Sequence, residues 1–95
     1  MTRFLIILDR ASAVELQLAH GVVKQGAPSW WHHFSTTWIV TGGSVSLWRD
    51  RIKTCLIQSK SSVLVLQLPD EGYWAYHGPR AAKRCKWLKT ATKTT

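Results

Sequence analysis

A carboxylate, two adjacent imidazoles and a cluster of cations are the groups in this chain that could act on, or hold, a phosphodiester. Asp9 closes the apolar run Phe4-Leu5-Ile6-Ile7-Leu8. A carboxylate at the end of a buried strand suits Mg²⁺ or Mn²⁺, which prefer carboxylate oxygen and water, and a symmetric homodimer could bring two copies of it toward one axis. The same side chain can instead pair with Arg3 or Arg10, or help to start a helix, as Asp does at strand-to-helix junctions. His32 and His33 are adjacent, so on a strand they point to opposite faces and cannot both ligate one metal. One of them, with His33 the candidate, can serve as general acid or base beside an RNA phosphate, because imidazole titrates near neutrality. The alternative is structural: one ring packs under Trp31 or Trp38 and the other is solvated.

Charge is the strongest asymmetry. The chain carries +8, and Arg80, Lys83, Arg84, Lys86, Lys89 and Lys93 all fall within residues 79–95, where there is no acid. Neutralising phosphates releases their counter-ions, so Arg80, Lys83, Arg84, Lys86 and Lys89 are read as a sequence-independent anchor for RNA or DNA that weakens with salt. The alternative is a solvated basic tail in which Trp87 and Leu88 pack locally. Of six tryptophans, Trp30, Trp31, Trp38 and Trp74 sit in strand-like text. Alternate rings must therefore face opposite sides of a sheet, either to stack bases or to be buried in a core or dimer interface. Cys85 lies between Arg84 and Lys86, a surround that favours thiolate, but has no paired histidine beside it in sequence. There is no Gly-rich phosphate loop, Cys-x-x-Cys or Ser-His-Asp order.

Ninety-five residues, 45% hydrophobic and 19% charged, are enough for one core and too few for two. No apolar run reaches the roughly 18 to 20 residues that cross a bilayer, and two cysteines do not make a secreted disulfide scaffold, so a cytoplasmic protein without a membrane segment is expected. Ser12 with Glu15 has capping-box spacing and predicts a helix running to about Gln25. Ser29 to Thr41 reads as two strands turning near Phe34 to Thr36, with one long bent strand as the alternative because no Asn-Gly or Asp-Gly marks the turn. Ser44 or Ser46 caps a second helix carrying Trp48, Ile52 and Cys55 on its apolar side, and Val63 to Leu68 is a buried central strand. Asp70-Glu71-Gly72 is turn chemistry, and Tyr73 to His77 a short aromatic strand. The order predicts an α+β, ferredoxin-like βαββαβ domain over residues 1–78, a four-stranded antiparallel sheet with two helices on one face plus a short extra strand, followed by a basic C-terminal tail over 79–95.

The first strand ending in Asp9, the stretch Trp30-Trp31-His32-His33-Phe34-Ser35-Thr36-Thr37-Trp38-Ile39-Val40 and the strand Val63 to Leu68 with its aromatic sequel resemble the small CRISPR-associated adaptation nucleases and their relatives. Those relatives include SinR-like proteins, to whose branch the middle stretch is most similar, and ferredoxin-fold ribonuclease antitoxins. The resemblance spans about residues 3 to 77. It implies a ferredoxin-like homodimer and, at Asp9, a divalent-metal ligand for phosphodiester cleavage, in a family many of whose members only bind nucleic acid. Two functions follow as expectations: a nucleic-acid-binding protein with weak metal-dependent endoribonuclease activity, or a non-enzymatic protein–protein module that uses its open sheet edge and aromatic face.

Overall fold

The computed structural model describes residues 2–69 and 74–92. Alternation along the central strand decides where the core lies. β1 (Arg3–Asp9) sends Phe4, Ile6 and Leu8 to one side, each at most 2% exposed. β2 (Trp30–Phe34) and β3 (Thr37–Thr41) form a hairpin, and with β4 (Ser62–Leu68) they complete an antiparallel sheet of order β2-β3-β1-β4, in which β4 is a half-exposed edge strand and not the buried central strand its apolar run suggested. The hairpin turns at Ser35 and Thr36, as the sequence predicts.

α1 (Ala13–Gly26) starts as its spacing predicts. The Ser12 hydroxyl accepts from the Glu15 backbone N–H, and the Glu15 carboxylate accepts from the Ser12 N–H. α2 (Val45–Lys53) is capped by Ser44. The turn before it needs left-handed backbone at Gly42 and Gly43 (φ 81° and 84°), and a Cβ on Gly43 would stand 2.8 Å from the Trp48 indole nitrogen. That nitrogen instead donates to the Gly42 carbonyl at 2.8 Å, fixing Trp48 in the core. Ala19 and Val23 of α1 and Trp48 and Ile52 of α2 close over Phe4, Ile6, Leu8, Trp38 and Val40. Burying side chains of this size from both layers supplies the main stabilisation of the domain.

Among the described residues the architecture is α+β with three helices, one more than expected. The segment read as a basic tail forms α3 (Ala81–Thr92) and lies on the sheet face opposite α1 and α2. There Leu88 is buried, Trp31 donates its indole N–H to the Arg84 carbonyl at 2.8 Å, and Trp87 donates to the Ser29 hydroxyl. Residues 74–77 have no regular structure where an aromatic strand was expected. Tyr73, the Asp70-Glu71-Gly72 turn and Lys93 lie outside the described residues. No helix among the described residues is long and apolar enough to cross a membrane.

Candidate nucleic-acid interface

The histidines separate as a strand requires, and a bulge sharpens the separation. Pairing of β2 with β3 slips between Trp31 and Phe34, so that His32 and His33 together span the place of one residue. A bulge re-aims side chains, and this one leaves Trp31 and Phe34, three apart, on the same outer face. Their rings meet edge to face at 5.0 Å. His33 is exposed and sits edge-on to Trp31 at 5.1 Å. His32 turns inward, stacks on Trp38 at 4.2 Å and 6°, and bonds the Thr37 carbonyl through Nδ1 at 3.0 Å.

α3 brings the expected cations to the same place. Its half-buried and buried side, Arg84, Cys85, Trp87 and Leu88, faces the sheet, whereas Lys83, Lys86 and Lys89 are exposed. At 100° per residue these lysines occupy the side of the helix away from the sheet, and exposed Arg80 stands just before its first turn. Arg84 donates to the Tyr76 hydroxyl at 2.8 Å with its guanidinium 5.9 Å from the ring centroid, and Tyr76 in turn donates to the Pro79 carbonyl. Gly78 permits this tight turn, because a Cβ there would lie 2.8 Å from the Tyr76 oxygen. Tyr76 lies nearly parallel to Phe34, centroids 6.5 Å apart, and Phe34 is 47% exposed. The Arg84 Nε is buried without a hydrogen-bond partner among the described residues.

Electrostatics record the same convergence. The His33 imidazole is held below its ordinary 6.5 by partial burial first, then by the positive charge of Arg84, by His32 and by Lys83 and Arg80. One end of the β2 edge thus carries an exposed phenyl, a tyrosine, an imidazole and three cations. Bases can stack on such rings while phosphates meet the cations.

Asp9 is not part of this site. Its carboxylate is 77% exposed and lies 3.9 Å from Arg10 Nε. It shares an end of the sheet with His33 but stands two strands away, about 10 Å in lateral spacing alone. Among the described residues no group of three or more His, Cys, Asp or Glu is placed to hold a metal. Within one chain a single solvated carboxylate is not a donor set that fits Mg²⁺ or Mn²⁺, and no metal step is derived from it.

Two features lay beyond the sequence reading. His20, on α1, stacks with His32 at 4.9 Å and accepts the Trp38 indole N–H at Nδ1 (3.2 Å), and burial holds it below 6.5, with His32 and Lys24 adding to the effect. Glu15, fully buried, also accepts from the Ile57 and Gln58 N–H groups and the Ser61 hydroxyl, tying α1 to the loop before β4. The sequence does hold a signal for α3: Arg84, Trp87 and Leu88 at i, i+3 and i+4 form one helical side, masked by the lysines between them. Comparison of the chain with protein-family models, curated proteins and solved structures gives no match.

Proposed function

We propose that the protein binds nucleic acid, RNA or DNA, at single-stranded segments. Bases stack at Phe34 and Tyr76, and phosphates run along Arg80, Lys83 and the outer side of α3. The observation that carries this reading is the gathering of Arg80, Lys83 and Arg84 around His33 beside a half-exposed phenyl ring. An aromatic so placed favours strands whose base faces are open, and duplex hides those faces. We read the core as ferredoxin-like, supported by its βαββαβ order and by a central β1 flanked by β3 and β4, with α3 added on the second face. Cleavage with Asp9 as metal ligand would need donors from a second chain, and binding needs none.

Fluorescence anisotropy with labelled oligo(U), oligo(dT) and a duplex of equal length tests the proposal. Neutralising Lys83, Lys86 and Lys89 together removes about three phosphate contacts, which on a single strand lowers the log–log salt slope by about 2. Phe34→Ala removes one stacking partner, worth about 1–3 kcal/mol, and weakens single-strand binding by roughly 5- to 150-fold with little effect on duplex. An unchanged salt slope in the lysine variant, or equal losses on single strand and duplex in Phe34→Ala, refutes this interface.

A further inference from the structure

We infer that β4 is a self-association edge, which pairs antiparallel with β4 of a second copy to make one continuous eight-stranded sheet. Exposed strand edges are ordinarily guarded by a charge, a proline or a bulge. The opposite edge is guarded in this way: β2 carries a register slip. Along β4, Ser-Val-Leu-Val-Leu-Gln-Leu contains neither charge nor proline. Its pairing with β1 runs unbroken from Ser62 to Leu68, leaving a straight outer edge.

A second copy is the inferred occupant, because self-pairing of β4 uses the whole uncharged edge and gathers its exposed leucines. Antiparallel pairing about a two-fold axis at Val65 matches Ser62 with Leu68, Val63 with Gln67 and Leu64 with Leu66 of the other chain. All seven residues pair, and each residue keeps its face. About six to eight backbone hydrogen bonds form across the axis. Leu64 and Leu66, 53% and 45% exposed on the outer face, join their symmetry mates in one apolar patch of four leucines. On the helix side, a groove of about 230 Å³ between Val45, Ser46 and Arg49 of α2 and Val63, Leu64 and Val65 leaves room beside the strand. The Arg49 charge there is matched by Asp50 at 2.9 Å, which leaves exposed Lys53, one turn further on, as the cation on that side of α2. The six tryptophans do not supply the interface: each is buried or half-buried within the chain.

Light scattering at tens of micromolar protein should give twice the 10.8 kDa chain mass. Leu64→Lys/Leu66→Lys, which alters exposed side chains and places four like charges around the axis, should return the mass to that of one chain with the circular dichroism spectrum unchanged. The register is tested by mixing two single variants, Leu64→Cys and Leu66→Cys, under mild oxidation. Positions 64 and 66 face each other at about 4.5–5.5 Å between Cα atoms, within disulfide reach, whereas 64 to 64 lies about 7–8 Å apart on the diagonal. The mixture should therefore give covalent dimer far in excess of either variant alone. A single-chain mass for the native protein, a dimer indifferent to the two lysines, or equal cross-linking in the separate variants overturns the inference. None of these readouts involves nucleic acid, so its failure and that of the binding proposal are distinguishable.

Discussion

Leu88→Ala asks whether α3 belongs to the fold. Leu88 is 6% exposed, and its side chain closes one side of a cavity of about 280 Å³ lined also by Leu5, Ile39, Leu68 and Trp74. Truncating a buried leucine costs its transfer free energy plus the enlarged cavity, about 2–5 kcal/mol. Here an existing void means fewer contacts are lost, so the lower part of that range, about 2–3 kcal/mol, applies. For a domain of this size each kcal/mol moves the midpoint by about 4–8 °C. Thermal unfolding followed by tryptophan fluorescence should therefore show a fall of roughly 10–20 °C. Lys89→Ala, one residue on and exposed, should stay within about 0.5 kcal/mol of the native protein. Ending the chain at Gly78 should cost more than Leu88→Ala, because it also removes the carbonyl that accepts the Trp31 indole N–H and uncovers a ring now 4% exposed. If Leu88→Ala melts within about 2 °C of the native protein, an effect of surface size, residues 79–95 are a tail and the packing argument fails.

Two pH dependences follow from the titrating groups. The Ser12 N–H above all, with the Gln58 N–H and the other donors, lowers Glu15 from 4.5 to about 2. The stability this confers is complete above the ordinary value and disappears as pH falls from 4.5 toward 2. Denaturant midpoints should show Glu15→Gln clearly weaker than native at neutral pH, with the gap closing across that acid range; a constant gap would refute the assignment. His33, held below 6.5 in the unbound protein, gains a proton more readily once phosphate neutralises the surrounding cations. Oligonucleotide affinity should therefore rise as pH falls from about 7.5 to 6, and His33→Gln should flatten that rise. A pH dependence identical in the variant would place the phosphates elsewhere.

Features legible in the sequence were those written in short-range pattern. The Ser12–Glu15 cap, the apolar strand before Asp9, the Ser35–Thr36 turn and the Trp48–Ile52 side of α2 each depend on residues within a few positions of one another, and the structure repeats them. Local pattern could not show what covers the second face of the sheet. Trp31 finds its acceptor 53 residues away, and Glu15 finds its further donors more than 40 away. The bulge at His32 and His33 is also invisible locally, since it reflects a mismatch between two paired strands. Of the candidate site, Arg80, Lys83, Arg84 and His33 were each identified singly. Their meeting at one end of β2, and the exclusion of Asp9 from it, required α3 to fold back onto the sheet.

That same fold-back divides the labour of the two sheet edges. A helix packed over the outer face at β2 brings cations to that side, whereas β4 is the free edge strand on the other side of the sheet. The proposed nucleic-acid site and the proposed β4 pairing therefore use different parts of the surface. In the inferred dimer, a two-fold axis perpendicular to the sheet preserves its faces, so both α3 helices would lie on one side. Seven strand spacings separate the two β2 strands, about 34 Å before twist is considered. Two basic sites on one face at that separation, with four leucines between them, suit one continuous strand crossing both better than two short ones. The second contact is then intramolecular and raises affinity through effective concentration, without any new chemistry at either site.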